Sequence, residues 1–393
     1  MVSQKRTSLS MKCFYLFTFF AFGSLFPLLG IYFKEEAGLS GTEIGTLMSL
    51  SPIVMIFAQP MWGIITDYTK KPKHVLAVSL LLTGLIGYAV LFIGTYGWLF
   101  IILILLALFQ SAIVPISDSI LLNYVNQTKQ EYGNYRLFGA IGFAVAVFIM
   151  GKLSEMSGIS IIFYSFALSL LLCLLLIRTM PREGEMLKVD LRSGLSALIR
   201  MPKYMVFLVT TFLIFGPIFA NNFYFSFYIQ GIGGTLTGVG IAFLLAAGSE
   251  APFMKLSGIA LRKYGVIQIM MFAAAVSGLR WTFYFFQPSI TVVLLTTVVQ
   301  GFSVGLFIPA AMEYIRENTP SDVRATAVSL YTAVGNGLGS WFCTFLGGMI
   351  FEKYSIFNTY LFFGILSFAG LFMIGILMRL QSRDKKLGLS SGV

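Results

Sequence analysis

The chain has 393 residues, of which 57% are hydrophobic and only 11% are charged, and its mean hydropathy is +0.86. Soluble domains carry about a quarter charged residues, so this composition excludes an ordinary water-soluble fold. The net charge of +11 does not indicate a nucleic-acid partner, because the basic residues cluster in the loops between apolar runs. We therefore expect a lipid bilayer around most side chains and no nucleic acid.

Twelve apolar runs are long enough to cross a bilayer, whose hydrocarbon core of about 30 Å needs roughly 20 helical residues. We number them spans 1 to 12, and the first is too long for the apolar part of a signal peptide. The runs predict an all-α membrane protein with twelve transmembrane helices. They fall near residues 11–33, 43–66, 74–94, 98–124, 134–156, 158–179, 203–228, 237–260, 264–286, 290–314, 323–349 and 355–379.

A hydrophilic connection at residues 180–202 divides the spans into two sets of six. Matching landmarks, such as a Phe-Gly pair followed by proline in spans 1 and 7, indicate an internal repeat. We expect a six-helix bundle over residues 1–179, a cytoplasmic connector over 180–202, and a second bundle with a short tail over 203–393.

The distribution of Lys and Arg predicts the orientation. With the N-terminus inside, 23 of the 27 basic residues lie on the cytoplasmic side, whereas Lys34, Lys152 and Lys353 lie outside and Arg280 lies within span 9. This bias predicts that both termini are cytoplasmic. We expect the chain in the inner, cytoplasmic membrane.

Cysteine and histidine are too sparse for most catalytic chemistry. The three cysteines are scattered through apolar runs, and His74 is the single histidine. Such a set provides neither a disulfide framework nor metal-ligand spacing, and the sequence has no phosphate-binding Gly-x-x-x-x-Gly-Lys-Ser/Thr loop. We predict no enzymatic activity, no metal and no cofactor.

Four charged residues in or next to the spans are the main candidates for a site. Asp118 lies in span 4, Glu250 in span 8 and Arg280 in span 9, and Arg136 begins span 5. A charge at the bilayer centre costs roughly 2.5–3.5 kcal/mol on insertion scales, so each needs a partner. We predict the pairs Asp118–Arg136 and Glu250–Arg280 as a proton-sensitive substrate site. The alternative for each pair is a structural ion pair that only fixes helix packing.

A conformational motif follows span 2. It consists of Gly63, Asp67, Lys70 and Lys71 in the order Gly-x-x-x-Asp-x-x-Lys-Lys. We expect Gly63 to allow a close helix approach and Asp67 to pair with a basic residue or a helix N-terminus. The alternative is an ordinary basic turn. The pattern resembles the cytoplasmic signature of the major facilitator superfamily.

A more specific resemblance lies in residues 115–118 and 132–139, Pro-Ile-Ser-Asp and then Tyr-Gly-Asn-Tyr-Arg-Leu-Phe-Gly. These stretches are similar to helices 4 and 5 of the lactose permease-like proton symporters, and more so to their phenylpropionate permease-like relatives. Residues 248–250 and 276–281 resemble the helix 8 acid and helix 9 arginine of that lineage. The resemblance runs through all twelve spans and implies the major facilitator fold, with two pseudo-symmetric six-helix bundles.

One departure concerns proton coupling. The histidine and glutamate that lactose permease carries in helix 10 align with Gln300 and Ser303, which do not titrate near neutral pH. Coupling would therefore have to involve Asp118 or Glu250. Uncharged polar residues are further site candidates, with hydrogen bonds between helices as the alternative. We select Asn222 and Gln300 from a set that also includes Gln110, Asn221, Tyr224, Tyr228 and Asn336.

These observations predict a monomeric secondary active transporter that moves a small organic solute by proton symport and alternating access. An aromatic carboxylate, a nucleoside and a sugar all remain open as the solute. The alternatives are a drug or metabolite efflux antiporter, a channel and a membrane receptor. Efflux antiporters usually carry Gly-Pro in helix 5, and residues 139–151 contain no proline, which favours uptake.

Overall fold

The computed structural model describes residues 2–181, 191–320 and 323–386. Every regular element in these ranges is helical. The helices are α1 (Val2–Glu35), α2 (Gly41–Thr69), α3 (Pro72–Ala89), α4 (Tyr96–Thr128), α5 (Gly133–Ser157), α6 (Ile161–Leu176), α7 (Leu191–Ile199), α8 (Pro202–Gly231), α9 (Leu236–Tyr264), α10 (Val266–Phe285), α11 (Ile290–Asn318), α12 (Arg324–Thr332), α13 (Ser340–Lys353) and α14 (Ile356–Lys386).

Eleven helices within the described ranges are long and apolar enough to cross a membrane: α1 to α6, α8 to α11 and α14. The one remaining predicted span, span 11, consists of α12, a π-helical segment at Ala333–Gly339 and α13, which follow one another without a break. The π segment has glycine at three of its seven positions. The predicted all-α fold with twelve membrane helices is confirmed. The short helix α7 lies in the predicted connector at residues 180–202.

Contacts divide the chain into two compact units. The first comprises Met1–Leu187 with Asn222–Leu244, and the second comprises Lys188–Asn221 with Leu245–Val393. The first unit therefore holds spans 1 to 6 together with the end of α8, the beginning of α9 and the turn between them. The division predicted at residues 179 and 203 stays a prediction.

Glycines bring α1 close to α5 in the first unit. A methyl group at Gly142 would collide with the Leu16 carbonyl, and one at Gly23 would collide with the carbonyl of Phe143. Small residues allow membrane helices to approach until their backbones touch. The consequence is that side chains of α1 reach the beginning of α5, where Arg136 lies.

Helix α8 approaches the π segment in the second unit in the same way. A Cβ atom at Gly216 would lie 2.7 Å from both the Gly339 carbonyl oxygen and the Cys343 Sγ. In the same unit, α10 packs against α11 and α14. These packings hold the polar residues of α8, α10, α11 and α14 within reach of one another.

Candidate functional site

Asp118 and Arg136 form a partly buried ion pair in the first unit. The Arg136 Nη1 lies 3.8 Å from the Asp118 Oδ1, and the two side chains are 37% and 23% exposed, respectively. This predicted contact is confirmed, whereas its role in binding stays a prediction. Among the described residues, Nη1 of Arg136 makes no hydrogen bond. The pair therefore leaves a buried donor on Arg136 available for a third group.

Two tyrosines donate hydrogen bonds to the same carboxylate. The Tyr15 hydroxyl, on α1, lies 2.5 Å from the Asp118 Oδ1. The Tyr132 hydroxyl also bonds Asp118, from the connection between α4 and α5. Burial and the negative charge of Asp118 raise the pKa of Tyr132 to about 12, so this phenol keeps its proton and remains a donor. Asp118 thus accepts from two phenols and faces one guanidinium.

Aromatic rings form one wall of this cluster. The Arg136 guanidinium carbon lies 4.4 Å from the centre of the Phe19 ring and 5.9 Å from that of Tyr15, within cation–π range. The Phe19 and Tyr15 rings are nearly parallel, with centres 6.4 Å apart. Gly139 makes room for this arrangement, because a Cβ atom there would lie 2.8 Å from the Phe19 ring. We call Tyr15, Phe19, Asp118, Tyr132 and Arg136 the first polar cluster.

Arg280 is the centre of a second polar cluster, in the second unit. Its side chain is 5% exposed. Nη1 donates to the Gln300 Oε1 at 2.9 Å, and Nε donates to the Tyr284 hydroxyl at 3.1 Å. The guanidinium carbon also lies 4.4 Å from the Trp281 ring centre. Neutral acceptors and a ring face therefore surround a buried cation.

The hydrogen-bond network of this cluster continues through α8 to α14. The Asn221 amide donates to the Gln300 Oε1 at 3.4 Å, and its Oδ1 accepts from the Tyr360 hydroxyl at 2.8 Å. Asn221 is 1% exposed. Asn222, the neighbouring residue predicted from the sequence, is half-buried and belongs to the other compact unit. A role of Asn222 in binding stays a prediction, and because a one-residue step turns a side chain by about 100° around a helix, Asn221 and Asn222 point in different directions. We call Asn221, Arg280, Tyr284, Gln300 and Tyr360 the second polar cluster.

Glu250 and Arg280 are not brought together, which corrects the second predicted ion pair. Within the described ranges, Arg280 forms no ion pair, and its hydrogen bonds go to Gln300 and Tyr284. The Glu250 backbone packs against α11, where a Cβ atom at Gly301 would lie 2.8 Å from the Glu250 nitrogen. Gln300 lies one residue before this contact, and its amide oxygen takes the place expected for the acid.

The conformational motif has only part of its expected geometry. Asp67, Lys70 and Lys71 are exposed, and Lys70 ends α2 with a left-handed backbone (φ +53°) and an N–H bond to the Thr66 carbonyl. The close approach predicted at Gly63 is not formed among the described residues, because a Cβ atom there would meet nothing within 4 Å. Gly63 lies on a half-exposed side of α2 that faces open space. A role of these residues in conformational change stays a prediction.

The described residues contain no group of three or more His, Cys, Asp or Glu side chains that could hold a metal ion. The polar chemistry of the two clusters consists of carboxylate, amide and hydroxyl acceptors with guanidinium, amide and hydroxyl donors. Such groups bind hydroxyl-rich or anionic organic solutes by hydrogen bonds.

The sequence model of the MFS_1 like family matches residues 8–362. The chain belongs to this family. The maltose permease of Geobacillus stearothermophilus is 46% identical over 380 residues, 95% of either chain. The uncharacterized transporter YwbF of Bacillus subtilis (strain 168) is 42% identical over 384 residues, 98% of this chain and 96% of that protein.

The resemblance to phenylpropionate permease-like transporters, which was inferred from the charged motifs, is confirmed by a relative of lower sequence identity. The probable 3-phenylpropionic acid transporter of Escherichia coli (strain K12) is 25% identical over 345 residues, 86% of this chain and 89% of that protein. A crystal structure of the nucleoside transporter NupG has a TM-score of 0.86 at 17% identity and covers 95% of this chain and 99% of its own. That likeness shows the major facilitator fold. The chain is a multi-pass membrane transporter for a small-molecule solute.

Proposed function

We propose that this transporter takes up a maltose-type disaccharide together with protons. The observation that carries the substrate class is the 46% identity with a maltose permease along 95% of both chains. Of the three solute classes left open by the sequence, this favours a sugar over an aromatic carboxylate or a nucleoside. It also favours uptake over efflux.

The first polar cluster has the chemistry that a sugar requires. The Asp118 carboxylate accepts hydrogen bonds from hydroxyl groups, and the buried Arg136 Nη1 is a donor without a bond of its own in the described residues. The neighbouring Phe19 and Tyr15 rings offer an apolar surface to the C–H face of a pyranose ring. Phenylpropionate would place a carboxylate beside Asp118, where like charges repel.

The second polar cluster also contains a hydrogen-bond donor that can bind a sugar hydroxyl. Nη2 of Arg280 is buried and lacks a hydrogen-bond partner in the described ranges. A neutral sugar hydroxyl can accept from it without adding a second charge to the membrane interior. Gln300, which in this chain stands where the lactose permease lineage has a titratable side chain, acts in this proposal by orienting Arg280.

Proton coupling in this proposal depends on Asp118. A proton on this carboxylate would weaken its attraction to Arg136 and remove an acceptor for substrate hydroxyls. Binding of the sugar and of the proton would then depend on each other, as symport requires. Glu250, half-buried in α9, is the second candidate for proton transfer. We further propose alternating access by a monomer in the cytoplasmic membrane with both termini inside, on the distribution of basic residues.

Uptake of radiolabelled maltose into proteoliposomes tests the proposal. We expect accumulation when the outside is more acidic than the lumen, its abolition by a protonophore, and exchange of internal for external maltose without any gradient. Uptake that ignores the pH gradient would refute proton coupling. Transport of a nucleoside or of 3-phenylpropionate in place of maltose would refute the substrate. Conduction without saturation or exchange would identify a channel.

A further inference from the structure

The short helix α7 cannot cross the membrane, yet it lies directly beside a helix that does. Its nine residues, at about 1.5 Å each, extend over about half of a bilayer core of about 30 Å. Only Arg200 and Met201 separate it from α8, whose membrane span begins at Pro202. The Met201 N–H bonds the Leu198 carbonyl at 3.1 Å and closes the turn between the two helices. The end of α7 is therefore held at the boundary of the bilayer.

A second membrane helix contacts α7 in the same unit. It is α12, whose first residue, Arg324, begins the part of span 11 that precedes the π segment. Spans 7 and 11 both begin on the face that the distribution of basic residues predicts to be cytoplasmic. Helix α7 thus lies where two helices of the second unit enter the bilayer from the same side.

One side of α7 is apolar, and the protein covers only part of it. Leu198 is 0% exposed, whereas Leu195 is 40% and Ile199 is 56% exposed. Since each residue turns a helix by about 100°, Leu198 and Ile199 lie on either side of Leu195, and the three form an apolar sector about 100° wide. Ala197 and Arg200 are exposed and lie outside this sector. The uncovered apolar edge is therefore next to the edge that packs on the protein.

The charge around this edge is positive. Residues 188–203 contain four basic side chains and one acidic side chain, and Arg200 is exposed at the end of the helix. Basic residues beside a membrane helix attract the anionic headgroups of phospholipids, and an arginine can lie along apolar surface while its charge reaches a headgroup. An amphipathic helix of this kind fits the surface of a bilayer. The two-residue link to α8 keeps the apolar edge at the bilayer boundary, which favours lipid over a cytosolic protein.

We propose that α7 lies in the membrane interface and binds anionic phospholipid. Leu195 and Ile199 enter the boundary between headgroups and acyl chains, and Arg200 pairs with lipid phosphate groups. The predicted connector is thereby attached to the bilayer next to the beginning of α8. This lipid surface is independent of the solute that the protein carries.

Spin labels on the full-length protein in lipid nanodiscs test the position of the helix. The labels are attached at Leu195→Cys and Ile199→Cys, with Ala197→Cys on the opposite side of α7 as the matched control, and labelled wild type gives the background of the native cysteines. Oxygen, which concentrates among acyl chains, should reach the labels at 195 and 199 better than a water-soluble nickel chelate does, and the order should be reversed at 197. Labels at 195 and 199 that the chelate reaches as readily as at 197 would refute the proposal and leave this edge to a cytosolic partner.

A titration of phosphatidylglycerol into phosphatidylcholine nanodiscs tests the class of lipid. The label at Leu195→Cys should lie deeper as the fraction of phosphatidylglycerol rises. Arg200→Gln should shift the midpoint to about 5-fold more of this lipid, the value of one basic residue near an anionic surface. Arg316→Gln, at the exposed pair with Glu313, is the charge control and should leave the midpoint unchanged. Equal depth at every composition, or equal midpoints for Arg200→Gln and wild-type Arg200, would refute the binding of anionic lipid. Both readouts need no solute, so they decide this proposal whether or not the protein carries maltose.

Discussion

Tyr15 donates a 2.5 Å hydrogen bond to Asp118 across a sequence separation of 103 residues. Because Asp118 also faces Arg136, this bond joins α1, α4 and α5 at one carboxylate. The close packing of α1 on α5 at Gly142 makes the contact possible. Residues from three helices therefore meet in the first polar cluster, although its two charges lie only eighteen residues apart in the sequence.

Replacing Tyr15 with phenylalanine should weaken substrate binding without unfolding the protein. The ring would stay stacked on Phe19, while Asp118 would lose one of its two phenol donors. We expect the Kd for maltose to rise about 3- to 10-fold. Tyr164→Phe, at an exposed ring, is the control and should bind as wild type does. Equal affinities for all three proteins would remove Tyr15 from the site.

Arg136→Lys should be nearly as harmful as Arg136→Ala. Lysine keeps the charge but loses the planar group that lies 4.4 Å from the Phe19 ring and the donor fork that faces Asp118. We expect at least a roughly tenfold loss of affinity, measured by calorimetry. The control is Arg316→Lys at the exposed pair with Glu313. Near-normal binding by Arg136→Lys would mean that only the charge matters.

Double-mutant cycles should separate the two acid–arginine combinations. Asp118→Asn and Arg136→Gln remove groups in contact, so their effects on maltose binding should be coupled by about 0.5–3 kcal/mol. Glu250→Gln and Arg280→Gln remove groups that do not pair in the described structure, and their effects should add within about 0.5 kcal/mol. Strong coupling in the second cycle would contradict the structure and restore the predicted ion pair.

Gly216→Ala should destabilise the protein, whereas Gly63→Ala should not. The new methyl at Gly216 would lie 2.7 Å from the Gly339 carbonyl oxygen and force α8 away from the π segment. Overpacking of this kind costs about 1–3 kcal/mol. At Gly63 a methyl meets open space. Thermal unfolding in detergent checks the pair, and a Tm for Gly216→Ala equal to that of wild type would show that the helices can separate without cost.

Glu155→Ala should loosen the attachment of α5 to the beginning of α9. The carboxylate accepts from the Thr237 backbone N–H at 2.8 Å and from its hydroxyl at 2.6 Å, which caps the first turn of α9. Loss of such a cap costs about 0.5–2 kcal/mol, and the exposed position favours the lower end. A lower Tm is expected, with Glu131→Ala as the exposed control. An unchanged Tm would mean that water replaces the carboxylate as the acceptor.

The parts of the site that could be predicted from the sequence are those that do not depend on how distant helices pack together. The number of helices follows from the lengths of the apolar runs. The Asp118–Arg136 contact follows from the cost of an unpaired charge in the membrane, because a short turn brings the two residues together. Tyr15 could not be assigned, because its partner depends on the packing of α1 against α5. Tyr132 was within the recognised motif, yet nothing in its spacing shows that its hydroxyl turns toward Asp118.

The second half was harder to predict because its polar residues come from four helices. Asn221 and Asn222 are equally polar, and only the rotation of α8 decides which one faces Gln300. Glu250 and Arg280 lie in adjacent spans, as a paired acid and base would. A neutral amide on α11 satisfies the arginine instead. Charge pairing is a good guide only where no uncharged acceptor lies nearer.

The π segment at Ala333–Gly339 also determines whether the number of membrane crossings is odd or even. It divides span 11 into α-helical pieces of 9 and 14 residues, and at about 1.5 Å per residue neither of these crosses a core of about 30 Å. A count of uninterrupted α-helices in the described ranges gives eleven and would leave the two ends of the chain on opposite faces of the bilayer. The continuous run through the π turn makes twelve, and an even number returns the chain to the face from which it started.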